Sequence, residues 1–207
     1  EAETATVVRR IAGDGGEAMP VRADVSDEAQ VRSMFDAVLR QWGRLDILVA
    51  NAGIQRDAPL HEMTLHDWNR VIAVNLTGCF LCCREAVLQM STRHGGSGGS
   101  IVLVSSAAGR LGAPGEYVDY AASKGAVNTL GVGLAREVAD EGIRVNVVVP
   151  GLIATDIHEP GRLDALAPTV PLKRPGSAEE IAAAIAWLLS DAASYTTGAV
   201  LDVTGGR

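Results

Sequence analysis

One alternation constrains this chain more than any other feature. Short, β-branched apolar runs at residues 45–50, 101–104, 143–149 and 199–203 are separated by stretches with apolar side chains at helical spacing. Strands that are apolar throughout belong to a sheet covered on both faces. Strands that alternate with helices of ten or more residues make that sheet parallel, with helices on each side. The expected fold is therefore α/β, a doubly wound parallel sheet, in a single domain over 1–207. Residues 18–23 read as a further short strand that leads into Asp24 and Val25.

The expected helices cover residues 1–12, 27–42, 64–93, 118–141 and 177–190. The second repeats Val31, Met34, Phe35, Val38 and Leu39 and stops at Gly43. Thr64 with Asp67 reads as an N-terminal cap, and Ser177-Ala178-Glu179-Glu180 as a capping box. Ligands of such sheets bind beyond the carboxyl ends of the strands. The loops after Ala23, Ala50, Val104 and Val149 should therefore share one rim.

Charge and composition exclude several partners. The formal charge is -7 and no Lys/Arg cluster occurs, which argues against nucleic acid. No uninterrupted apolar run approaches the roughly 20 residues that cross a bilayer, and Glu-Ala-Glu-Thr-Ala-Thr at the start is not a secretory signal. No membrane partner is expected. Cys79, Cys82 and Cys83 crowd one apolar segment; an odd, clustered set suits a reducing cytoplasm rather than disulfides. A closed zinc site wants about four ligands, so these read as helix cysteines and no metal is expected.

Three spellings mimic known sites. Gly13-Asp14-Gly15-Gly16-Glu17-Ala18 has the Gly-x-Gly-x-x-Ala pattern but follows a helix and precedes a strand, the reverse of a pyrophosphate cradle. Gly95-Gly96-Ser97-Gly98-Gly99 spells Gly-x-Ser-x-Gly yet leads into a strand, so it is no nucleophile elbow. His61 and His66 stand five apart, about 140° around an ideal helix, and cannot share a zinc ion as a zinc-protease pair does.

Tyr120-Ala121-Ala122-Ser123-Lys124 carries the chemistry. Residues four apart on a helix are neighbours, so the Lys124 ammonium should stand near the Tyr120 phenol. A free tyrosine loses its proton near pH 10, and a nearby cation lowers that value. The pair is a tunable acid/base. Ser105-Ser106 ends a buried strand at the rim, Asn51-Ala52-Gly53 ends the strand before it, and Asn75 interrupts a long helix. Asp24 ends the first strand, and Pro150-Gly151-Leu152-Ile153-Ala154-Thr155 follows a later one.

This ordered set resembles the short-chain dehydrogenase/reductase family from Ala18 to Gly206, and within it the bacterial glucose-dehydrogenase and oxoacyl-reductase branch. The resemblance implies a Rossmann-like enzyme that interconverts a secondary alcohol and a ketone or aldehyde with NAD or NADP. It implies that Tyr120 exchanges the proton and Ser106, rather than the packing residue Ser105, holds the substrate oxygen. Lys124 would bind the nicotinamide ribose and lower the Tyr120 pKa, and Asn75 would keep a water linking Lys124 to solvent. Asp24 and Val25 would border the adenine. Asn51, Ala52 and Gly53 would pass close to the cofactor, as would Pro150 and Gly151, with Ile153 and Thr155 at its carboxamide end. A homo-oligomer, tetramer or dimer, is implied too, on the helices that hold Cys79–Cys83 and Tyr120.

Structural readings stand beside these. Asn75 also reads as a helix-break residue, and Asp24 as the cap of the next helix. The chain departs from the family in lacking its opening strand, Gly-rich phosphate turn, helix and second strand. Without them the strand at 18–23 would stand about 14 Å from that at 45–50, at the usual 4.7 Å per strand, too far for ladder bonds. Roughly 40 further N-terminal residues are expected on the scale of a βαβ unit, and the choice between NAD and NADP resides there. The stretch from Ile157-His158 to Pro160-Gly161 looks short for a substrate lid. A cofactor-free, non-catalytic scaffold is the alternative function.

Overall fold

The computed structural model describes residues 2–155 and 161–207. The expected lid stretch therefore lies, up to Pro160, outside the described residues.

Four strands form one parallel sheet in the order β1 (Ile47–Ala50), β2 (Gly99–Val104), β3 (Ile143–Pro150) and β4 (Val200–Val203). Its register aligns the carboxyl ends: Ala50 faces Leu103, Val104 faces Val148, and Pro150 faces Val203. Neighbouring parallel strands need crossover connections, and helices supply them. After α1 (Ala2–Gly13) and α2 (Glu28–Trp42), which precede β1, these are α3 (Leu65–Ile72), α4 (Gly78–Met90), α5 (Ala108–Leu111), α6 (Val118–Val138), α7 (Arg162–Leu166) and α8 (Ala178–Leu189). Two caps are the expected ones: Thr64 accepts from Asp67, and Ser177 with Glu180 closes the capping box. The cap of α2 is Asp27, whose carboxylate accepts from Ala29 and Gln30, and not Asp24.

The period of two along a strand divides the core. Ile101, Leu103, Val145 and Val147 turn to one face, where Val31, Phe35, Ala86, Met90, Val127 and Val138 cover them. Val102 and Val148 turn to the other, against Ile181 and Leu188 of α8. Each fully buried branched or aromatic side chain contributes about 1.5–3 kcal/mol. Those contacts hold the strand ends in register.

Two expectations are corrected. Residues 18–23 form no strand. A strand persists only where its N–H and C=O groups find a ladder. Among the described strands β1 pairs with β2 alone, and Ile47 and Val49 beside it remain exposed. The long helix over 64–93 divides into α3, a π-helical turn over Ala73–Thr77, and α4, which ends at Met90. By length and composition, the run Leu65–Met90 is apolar enough to cross a membrane, although charged residues break it up in the sequence. Over half of its apolar window is buried inside the fold, packed on α2 and α6, as a core helix is.

Candidate active site

β2 delivers Ser105 and Ser106 to the carboxyl edge of the sheet. Ser105 extends the ladder, its N–H reaching the Val148 carbonyl at 2.8 Å, and its hydroxyl donates to the Lys124 carbonyl at 2.9 Å. It is a strut between sheet and α6. Ser106 faces the cleft, and its Oγ accepts from the Ala108 N–H at 3.2 Å, opening α5. Helix α5 lies directly on α6. A Cβ at Gly109 would stand 2.6 Å from the Gly125 nitrogen, so only glycine permits this approach.

Helix α6 carries Tyr120 and Lys124 one turn apart. The Ser106 hydroxyl is near enough to the Tyr120 phenol to favour its ionised form, and both line the same cleft. The Lys124 ammonium lies 5.6 Å from the centre of the Tyr120 ring and donates to the Val104 carbonyl at 2.8 Å. Burial pushes the Tyr120 pKa up from its ordinary 10, with the Ser106 hydroxyl opposing. Burial also brings Lys124 down to about 8. The expected lowering of the tyrosine by the lysine is thus not the dominant effect. Desolvation of the phenolate outweighs it, because Lys124 sits over the ring and bonds to main chain.

The π-helical turn at Ala73–Thr77 turns Asn75 inward, where it is 1% exposed. Its Oδ1 accepts from Ile54 N at 2.8 Å, and its Nδ2 donates to Ile54 O at 3.0 Å and Ser123 Oγ at 3.1 Å. Asn75 therefore ties the loop after β1 to α6. Such π turns often occur at functional sites. A Cβ at Gly53 would lie 3.4 Å from both Asn75 Oδ1 and Lys124 Nζ, so the loop leaves its space open over the lysine.

A cavity of about 870 Å³ opens along this rim. Asn51, Gly53, Ser106, Tyr120 and Lys124 line it, as do Pro150, Gly151, Ile153 and Thr155. Seven residues from three separate strand ends and two from α6 are thereby gathered in one place. Asn75, Ala52 and Val25, which packs against Gly78, lie outside this lining. Asp24 also lies outside the lining. It closes a turn on itself, accepting from Ser26 N at 3.0 Å and Ser26 Oγ at 2.6 Å, and faces Arg70 at 3.4 Å. The Ser26 hydrogen bonds, with Arg70, hold its carboxyl below the usual range. With no ladder over 18–23, nothing directs Asp24 or Val25 to the rim.

Among the cleft residues that escaped the sequence reading are Glu116, Tyr117 and Arg162. The Tyr117 ring meets that of Tyr120 edge to face at 5.6 Å. Spacing could have found Tyr117 and Glu116, which stand three and four residues before Tyr120 on the approach to α6. No local signal points to Arg162, which joins them across the cleft from α7.

The residues present fit a nicotinamide nucleoside. The buried Lys124 ammonium has three donors and one hydrogen-bond partner among the described residues, so it suits ribose hydroxyls beside the open space at Gly53. The cavity is also of the size that encloses small ligands.

Comparison with known proteins agrees. A family model described as enoyl-(acyl carrier protein) reductase matches residues 1–207. The Escherichia coli K12 oxidoreductase YgfF is 53% identical over 206 residues, spanning 97% of this chain and 83% of that protein. A 3-oxoacyl-[acyl-carrier-protein] reductase of Synechocystis is 41% identical over 201 residues, 97% of this chain and 80% of its own length. The crystal structure of a short-chain type dehydrogenase/reductase from Mycobacterium marinum superposes with a TM-score of 0.92 at 38% identity, covering 97% of this chain and 80% of that one. These relatives set aside the non-catalytic alternative. The chain belongs to the short-chain dehydrogenase/reductase family and is an oxidoreductase that works with a nicotinamide cofactor.

Proposed function

We propose that this protein reduces a ketone or aldehyde to the alcohol, with Tyr120 as the proton donor. The observation that carries the reading is that Ser106, Tyr120 and Lys124 line one cleft, with the Lys124 ammonium 5.6 Å from the Tyr120 ring.

A bound reduced nicotinamide supplies the hydride to the carbonyl carbon. Ser106 donates a hydrogen bond to the carbonyl oxygen and stabilises the negative charge that gathers there. Tyr120 passes its phenolic proton to the same oxygen, which completes the alcohol. The proton must be present for this, and burial keeps it on Tyr120 at neutral pH. Lys124 holds ribose hydroxyls and offsets the phenolate left behind. Asn75 keeps the Ile54 backbone and Ser123 in place, so loop and helix frame the lysine together. The reverse oxidation needs the phenolate and gains as pH rises.

Replacing Tyr120 by Phe tests the assignment. Loss of a positioned acid costs roughly 10²–10⁴-fold in turnover. The expected result is that loss in ketone reduction, followed by nicotinamide absorbance, with cofactor affinity retained by fluorescence titration. Turnover at the wild-type rate in Tyr120→Phe would overturn the mechanism.

A homo-oligomer belongs to the same proposal. Phe80 and Leu88 are apolar and exposed on α4, as an interface with a second copy would require.

A further inference from the structure

The wall of the cleft opposite the cofactor rim is built from Glu116, Tyr117 and Arg162. Arg162 Nη2 makes both of its hydrogen bonds there, one to Glu116 Oε2 and one to the Tyr117 hydroxyl at 3.1 Å. The guanidinium also lies 5.6 Å from the centre of the Tyr117 ring. Its side chain is 21% exposed, against 43% for Glu116. The backbone beneath is shaped for this arrangement. Ala113 holds a positive φ of 45° ahead of Pro114, and its carbonyl accepts from the Glu116 and Tyr117 N–H groups.

A guanidinium has five donors and a carboxylate about four acceptor positions. Because one nitrogen makes the whole contact, Arg162 Nε and Nη1 have no hydrogen-bond partner among the described residues. Glu116 Oε1 is likewise left over. The Tyr117 hydroxyl accepts from Arg162 and also lies under the influence of the Glu116 carboxylate. The wall therefore offers donors and acceptors side by side, with no net charge.

We infer that Glu116, Tyr117 and Arg162 select a neutral, hydroxyl-bearing carbonyl substrate. The Tyr117 ring links the two parts of the cleft, 5.6 Å from the Tyr120 ring on one side and 5.6 Å from the Arg162 guanidinium on the other. The inference rests on the reductase reading and adds its substrate class. A hydroxyl both donates to the carboxylate and accepts from the guanidinium. An anionic substrate meets the Glu116 carboxylate on a protein of net charge -7. A purely apolar chain strips water from charged groups without replacing its hydrogen bonds, and sites built for a hydroxyl reject analogues that lack it.

Three methyl ketones matched in chain length, ending in hydroxyl, methyl or carboxylate, test this on the purified protein with NADH and NADPH. The wild type should favour the hydroxyl ketone over the methyl ketone by at least tenfold in kcat/KM, the difference lying in KM. Glu116→Gln and Arg162→Met should each bring that ratio towards one. A wild-type preference for the methyl or carboxylate ketone overturns the inference, as does a hydroxyl preference that survives both substitutions. Either result leaves the reductase reading intact, because nicotinamide is still consumed. No turnover of any ketone, with Tyr120→Phe indistinguishable from wild type, would instead sink the reading itself.

Discussion

Lys124 is the costliest residue of the site to keep. Its ammonium is 4% exposed and its pKa is down to about 8, because burial disfavours its charged form. In the unfolded chain a lysine binds its proton up to about 10.4. Between pH 8 and 10.4 the unfolded state therefore holds more protons, and stability from this group rises with pH. Below pH 8 both states are charged and the whole penalty is present, about 3 kcal/mol at 1.36 kcal/mol per unit. Replacing Lys124 by Met should raise the melting temperature at pH 7, by differential scanning calorimetry, and should abolish reduction. The same ionisation predicts activity. For wild-type reduction, kcat/KM, which reports the free enzyme, should stay level to about pH 8 and fall above it as Lys124 loses its charge. A profile flat to pH 10 would separate the lysine from catalysis. Tyr120 and Lys124 were legible as helical neighbours from their spacing, and as a candidate site only together with Asn51, Asn75 and Ser106 in order along the chain. The direction of the Tyr120 shift was not, because spacing says nothing of how much water the phenol retains.

Among the elements, the contact of α5 with α6 decides whether Ser106 and Tyr120 meet. Ser106 opens α5, Tyr120 rides on α6, and Gly109 and Gly125 let the two backbones touch. A methyl group at Gly109 would fall 2.6 Å from the Gly125 nitrogen and 2.8 Å from the Lys124 carbonyl carbon. Backbone cannot step aside as a flexible side chain would. Gly109→Ala should destabilise by about 1–3 kcal/mol in urea unfolding, as overpacking does. It should also lower kcat about a hundredfold, since misplacement by 1 Å costs that much. A variant with normal kcat would show that this contact does not set the catalytic geometry. Helix α5 itself was absent from the sequence reading. Four residues, Ala-Gly-Arg-Leu, are too few to show a period, and they are helical because α6 lies beside them. The π-helical turn was legible only as an interruption at Asn75. Its bonds to Ile54 and Ser123 come from distant parts of the chain.

Over the molecule as a whole, β3 gathers the last third of the chain. Asn146, fully buried, donates to the Thr196 carbonyl at 2.9 Å and accepts from Ala199 N at 3.0 Å. Arg144 beside it reaches the carbonyls of Leu188, Leu189 and Ser190 at the end of α8. These bonds lead the chain from α8 back into β4. Removing one partner leaves buried groups unpaired at about 1–3 kcal/mol each, so Asn146→Ala should cost about 3 kcal/mol. Faster amide exchange in β4 than in β1 should accompany that loss, and equal exchange would refute the assigned role. The sequence by itself determined the parallel α/β sheet, the caps at Thr64 and Ser177, and that Tyr120 and Lys124 are neighbours on one helix, because periodicity, capping and helical neighbours are local and act within a few residues. Tertiary structure alone decided that residues 18–23 form no strand, that Asp24 turns onto Ser26, and that Arg162 faces Glu116. Each of those outcomes depends on which partner stands across space, and hydrogen bonds, ion pairs and desolvation are settled by that distance rather than by order along the chain.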